Sequence, residues 1–151
     1  WQRFRHHDVL GSDIEHVLSH EVASGLPVPV EAFARYLGVR VEFIHHGTSS
    51  LTVTTKHATL WIAEDTEPER RYAVAHGLGH LLAGSQQIVH ETVSHQHSRE
   101  HLRAHEFAVT LLMPTGSVDA AVAALGENSR ALARYYIVPE HAVHARLANR
   151  G

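Results

Sequence analysis

Between Val39 and Leu82 the hydrophobic period of the chain changes once, from two to about 3.6. That change confines it to folds in which a short sheet runs directly into a helix. Val39, Val41 and Phe43 alternate with Arg40 and Glu42, and Leu51 to Thr55 and Thr59 to Ala63 are rich in Thr and β-branched or aromatic residues around Lys56-His57-Ala58. These are strand patterns. Glu64 to Pro68 reads as a turn. From Glu69 onward Tyr72, Ala73, Ala75, His76, Gly79, His80 and Leu82 recur at helical spacing. Upstream, Ser12 and Glu15 have capping-box spacing before Ile14, Val17, Leu18 and Val22, which predicts a first helix. Gly25, Pro27 and Pro29 break it, and a short helix over Val30 to Leu37 stops at Gly38. Downstream, Gln86 to Ser98 is polar and His-rich and reads as a loop. A helix over Glu100 to Leu112 follows, ended by Pro114, and then three short helical patterns: Val118 to Leu125, Ser129 to Tyr136 and Glu140 to Ala148. The expected fold is α+β, a small, mainly antiparallel sheet packed against helices. The 151 residues suffice for one apolar core.

Composition removes several classes of function. There is no cysteine, which excludes a disulfide scaffold and any thiolate nucleophile or ligand. No apolar run has the length of a membrane span, and Trp1 to His7 is polar and basic, unlike a signal peptide. A cytoplasmic location is expected. Lys and Arg number 13 against 16 Asp and Glu, for a net charge of −3, so binding of nucleic acid driven by bulk charge is not expected.

Histidine is the unusual residue, at 16 of 151. At this density roughly two His-x-x-x-His pairs arise by chance, so the bare spacing proves little. The chain contains four: His16/His20, His76/His80, His97/His101 and His101/His105. On spacing alone, two core or surface histidines are a better reading of such a pair than a metal site. His76 and His80 stand apart because they lie inside an apolar helix that follows a strand and a turn. Four residues apart, they project from one face and can grip one zinc ion.

Their surroundings carry a resemblance. Pro68-Glu69-Arg70-Arg71-Tyr72-Ala73-Val74-Ala75-His76-Gly77-Leu78-Gly79-His80-Leu81-Leu82 resembles the signature helix of the ImmA/IrrE metallopeptidases, which usually read His-Glu-Leu-Gly-His there. Ala104-His105-Glu106-Phe107-Ala108-Val109-Thr110-Leu111-Leu112-Met113-Pro114 resembles the family's second block, and Pro27 to Val39 its N-terminal segment. The resemblance implies a zincin-like peptidase core over residues 1–116 and a helical tail over 117–151. It also implies a Zn²⁺ cofactor and a regulator that cuts helix-turn-helix repressors.

Two departures bear on chemistry. The family's general-base glutamate is replaced by Gly77. Glycine cannot move a proton, and mid-helix it costs about 1 kcal/mol relative to alanine. The third ligand, a glutamate in the family, falls at His101. Helical phase places Ala104, Phe107, Ala108 and Leu111 on one face, with His101 and Glu100 at its edges and Glu106 nearly opposite. The expected ligands are therefore His76, His80 and His101. Three imidazoles would leave more positive charge on the metal than a site with a carboxylate, favouring an anionic ligand. Glu100 could reach the metal, serve as a substitute base, or be an ordinary solvated glutamate. A residue at 77 is expected beside the metal rather than against the core.

Ser129 to Leu147 has helix-turn-helix-like spacing, with Ala133 in the first helix, Val138 in the turn, and Val143 and Leu147 in the second. Ile137 stands where such motifs favour glycine, and Arg130, Arg134, Arg146 and Arg150 are the cations available for phosphates. Packing of these helices on the core is the preferred reading. The sequence thus predicts a metallopeptidase-like regulator with weak or absent peptidase activity. The alternative is a metal-containing module that binds a repressor or peptide without cutting it. Direct DNA binding ranks below both.

Overall fold

The computed structural model describes residues 25–84, 87–89 and 99–150, the segment 87–89 by its backbone. The helix expected around Ser12 to Val22 lies outside the described residues. Six helices and four strands follow in the order α1 (Val30–Tyr36), β1 (Val39–Phe43), β2 (Ser50–Val53), β3 (Ala58–Ile62), α2 (Glu67–Leu82), β4 (Gln87–Val89), α3 (Arg99–Leu112), α4 (Thr115–Leu125), α5 (Ser129–Tyr136) and α6 (Glu140–Ala148). The architecture is α+β, as the change of period requires.

Helix α1 ends because Gly38 adopts φ 76° and its amide bonds back to the Arg35 carbonyl. That left-handed step suits glycine and redirects the chain into β1. The strands form one sheet in the order β1-β3-β2-β4. Strand β3 pairs antiparallel with β2, placing Leu60 opposite Leu51, and parallel with β1, placing Leu60 beside Val41. Residue 54 closes the β2–β3 connection: the Thr54 hydroxyl accepts from the His57 amide at 3.1 Å and donates to the His57 carbonyl at 3.0 Å. Val39, Leu51, Ala58, Leu60 and Ile62 are buried against the helices, whereas Trp61 and Phe43 keep exposed area on the sheet.

The structure corrects one expectation. Gln86 to Ser98 reads as loop throughout, but Gln87–Val89 pairs antiparallel with β2, Leu51 opposite Ile88. A three-residue strand is too short to show a period in sequence. It forms because β2 would otherwise present an open row of amides and carbonyls at the sheet edge.

Helices α2 and α3 approach until their backbones touch. A Cβ at Gly79 would lie 2.8 Å from both the α-carbon and the carbonyl oxygen of Ala104, itself fully buried. Two glycines in α2 weaken its intrinsic propensity, but Gly79 permits the crossing that brings α3 onto the helix. Gly79→Ala gains about 1 kcal/mol of propensity. It loses more, because backbone rather than a mobile side chain must yield, and overpacking typically costs about 1–3 kcal/mol. The expected outcome is a melting temperature lower by roughly 5 °C. An unchanged value would mean that the helices are not in backbone contact.

The C-terminal helices lean on the same core. Leu132, Tyr136, Val138, Ala142 and Val143 are buried. Ile137 adopts φ 54°, ψ 60°, in the left-handed region where the sequence motif favours glycine. A β-branched residue there is strained by about 1–2 kcal/mol. The turn is held by buried Arg71, whose Nε donates to the Ile137 carbonyl at 3.0 Å. Arg146, one of the four cations considered for phosphate binding, is instead 7% exposed. Its Nε donates to the Met113 carbonyl at 3.0 Å and its guanidinium to the Thr115 hydroxyl at 2.9 Å, which fixes the α3–α4 corner. Arg150 pairs with Asp119 at 2.9 Å and Glu127 at 3.6 Å, and Arg130 with Glu140 at 3.3 Å.

Candidate metal centre

Helix α2 starts with Glu67, Pro68 and Glu69, acidic residues and a proline that suit a helix N-terminus. From there Tyr72, His76 and His80 succeed one another at intervals of four and form a single polar stripe. Helix α3 brings His101 and His105 against that stripe across the Gly79–Ala104 contact. One ring nitrogen each from His76, His80 and His101 lies within 4.8 Å of the other two. The Nε2 atoms of His76 and His80 are 3.0 Å apart. The ring centroid of His76 stands 4.7 Å from those of both His80 and His101. The structure thus brings together the three histidines that the sequence singles out as ligands. Of the other pairs, His16, His20 and His97 fall outside the described residues.

These residues fit a divalent metal. Zinc–nitrogen bonds of about 2.0–2.1 Å in a tetrahedral site place ligand atoms about 3.3 Å apart, a spacing the cluster already brackets. The tautomer of His80 fits too. Its Nδ1 faces the Glu100 carboxylate at 3.3 Å. A carboxylate accepts, so Nδ1 carries the proton and Nε2 presents a lone pair towards His76 and His101. His80 is only 5% exposed, and a carboxylate behind a ligating imidazole is a common arrangement at metal sites. Glu100 therefore approaches His80 from the side away from the cluster, half exposed to solvent. Glu106 is exposed on α3, as helical phase requires.

The histidines line a cleft of about 380 Å³ whose walls include Leu51, Leu60, Ile62, Glu64, Tyr72, Gly77 and His141. Ser49, also in the lining, donates to the Glu64 carboxylate and accepts from the Ala63 amide. Gly77 differs from expectation in one respect. It faces the cleft, but a Cβ there would come within 2.4 Å of Leu60 Cδ2 and 3.4 Å of Leu60 Cγ. Leu60, a buried residue of β3, fills the space that a side chain at 77 would enter. A residue at 77 thus meets the sheet as well as the site.

Sequence reasoning overlooks Tyr72, His105 and His141. The Tyr72 hydroxyl lies 3.3 Å from His76 Nδ1 and in a short hydrogen bond with His105 Nδ1. Its ring stacks edge-on against His141, centroids 4.8 Å apart, and His141 Nε2 lies 3.8 Å from Glu69. Burial, with the charges of His141 and His101, pushes the His105 imidazole below its ordinary pKa. The signals are present as spacing: Tyr72 precedes His76 by four residues, and His105 follows His101 by four.

A sheet that runs into a two-histidine helix, with a third histidine supplied by the next helix, defines a metallopeptidase-like α+β domain. The model of IrrE N-terminal-like domains, peptidase family M78, matches residues 34–148, and the chain belongs to that family. The match runs on through α4, α5 and the whole of α6. No curated protein matches the chain. Among the described residues, no single helix is long and apolar enough to cross a membrane.

Proposed function

We propose that this chain is a zinc-binding, peptidase-derived regulator whose cleft engages a protein segment and cleaves it weakly or not at all. The convergence of His76, His80 and His101 beside a Gly77 covered by Leu60 carries this reading. A zinc ion held by the three imidazoles would supply Lewis-acid polarisation of a bound carbonyl. The position that carries the family's general base supplies no acid–base chemistry here. Gly77 has no side chain, Leu60 makes that wall of the cleft apolar, and Glu100 is engaged with the far nitrogen of His80. General acid–base catalysis is typically worth about 10²–10⁴-fold, and its loss would leave a binding site that outlives its activity. The apolar walls and the histidines suit an extended peptide carrying an anionic or carbonyl group towards the ligands. By analogy with the family, the proposed partner is a helix-turn-helix transcriptional repressor. Burial of Arg146 and the ion pairs of Arg130 and Arg150 support protein rather than DNA as that partner.

The test is cleavage of a pool of quenched fluorescent peptides with added zinc and with chelator. Turnover is expected at or below about 10⁻² s⁻¹, two orders under the low end of ordinary enzymes. Chelator-sensitive turnover above about 1 s⁻¹ would overturn the reading in favour of an intact peptidase.

A further inference from the structure

We infer that Tyr72 is a positioning residue for the metal site, holding His76 through Nδ1 as Glu100 holds His80, with His105 as the acceptor that fixes the tyrosine hydroxyl. The inference rests on the metal reading above and concerns residues outside the ligand set.

The two α2 histidines face each other through Nε2 at 3.0 Å, so the remaining nitrogen of each, Nδ1, points away from the cluster. For His80 the partner at Nδ1 is Glu100 at 3.3 Å; for His76 it is the Tyr72 hydroxyl, also at 3.3 Å. To ligate through Nε2, a neutral His76 must carry its proton on Nδ1 and donate it. Tyr72 can accept that bond only if its own hydroxyl hydrogen is directed elsewhere. The short contact to His105 Nδ1 gives it that direction. The resulting order is His76 Nδ1–H to Tyr72 Oη, and Tyr72 Oη–H to His105 Nδ1. His76 and Tyr72 each donate once along it, and His105 accepts. Edge-on packing of the Tyr72 ring against His141 fixes the ring in place. The arrangement spans α2, α3 and α6, so it sets the orientation of His76 from three elements at once.

The experiment is titration of metal-stripped protein with Zn²⁺ against a chromophoric chelator, and with Co²⁺ followed by its visible absorption. Tyr72→Phe keeps the ring and removes the hydroxyl. It is expected to weaken zinc binding by roughly 10-fold or more, within the 10–100-fold usual for losing such a partner, and to shift the cobalt bands. The melting temperature of the stripped protein should be unchanged by this substitution. His105→Leu is expected to reproduce the loss, and His105→Asn, which keeps an acceptor near the place of Nδ1, to restore affinity to within about threefold. Affinity and cobalt spectrum of Tyr72→Phe equal to those of the parent would overturn the inference while leaving the metal site intact. So would equal losses in His105→Leu and His105→Asn. A parent protein that binds neither ion would instead overturn the metal reading, and the inference with it.

Discussion

Gly77→Glu combined with Leu60→Ala is expected to raise zinc-dependent peptide cleavage by about 10²–10⁴-fold over the parent chain. Gly77→Glu alone is expected to gain far less. The glutamate would take a proton from attacking water and return it to the leaving amine, a shuttle that Gly77 cannot provide. Geometry explains why one substitution does not suffice. The new Cβ would enter at 2.4 Å from Leu60 Cδ2, well inside contact distance, so Leu60, a buried core residue, must shift to admit it. The better helix propensity of glutamate, worth about 0.5–1 kcal/mol over glycine, does not offset an overpacking cost of about 1–3 kcal/mol. Leu60→Ala removes the obstructing atoms. On its own it would cost about 2–5 kcal/mol as a cavity, part of which the glutamate stem refills. Rates are to be compared for parent, both single variants and the double variant, with and without chelator. Equal rates in all four would show that position 77 does not set activity.

His80→Ala has the second largest expected effect, and it acts on metal binding. His80 is the most buried of the three histidines and has its Nδ1 committed to Glu100. Removal of a partner behind a ligand typically costs about 10–100-fold in metal affinity, and removal of the ligand itself must exceed that. Loss of more than about 100-fold is expected, together with loss of most metal-dependent stability. In the parent, free zinc at about 1,000 times its dissociation constant stabilises by about 4 kcal/mol. For a domain of this size that is roughly 8–16 °C in melting temperature. With affinity at least about 100-fold lower, His80→Ala should keep at most about 1.4 kcal/mol of that, a rise of no more than roughly 3–6 °C at the same zinc concentration. A rise equal to that of the parent would remove His80 from the ligand set.

Much of this architecture is legible in the amino-acid sequence alone. The change of period at Glu64 to Pro68 places the sheet and α2, and Gly38, Pro114, Gly126 and Pro139 mark where helices stop or begin. Spacing and phase bring His76, His80 and His101 into one group from two helices. What stays hidden depends on tertiary neighbours. Strand β4 is three residues long and forms because β2 has an edge to cover. Arg146 looks like a surface cation in sequence but is spent on the Met113 carbonyl and the Thr115 hydroxyl. Helical phase puts residue 77 on the site side of α2 but cannot report that Leu60 reaches over it from β3. Nor can it show that Gly79 is required by the Ala104 backbone. Tyr72 and His105 are visible only as spacings, because the hydrogen bond that joins them crosses between helices.

Zinc content of the purified protein, set beside that of the His76→Ala, His80→Ala and His101→Ala variants, tests the three-histidine centre most directly. One equivalent per parent chain is expected, with a loss of affinity of more than about 100-fold in each variant, beyond the 10–100-fold usual when only a supporting partner is removed. A parent chain that binds no zinc, or a His101→Ala variant that holds it as tightly as the parent, would contradict the assignment.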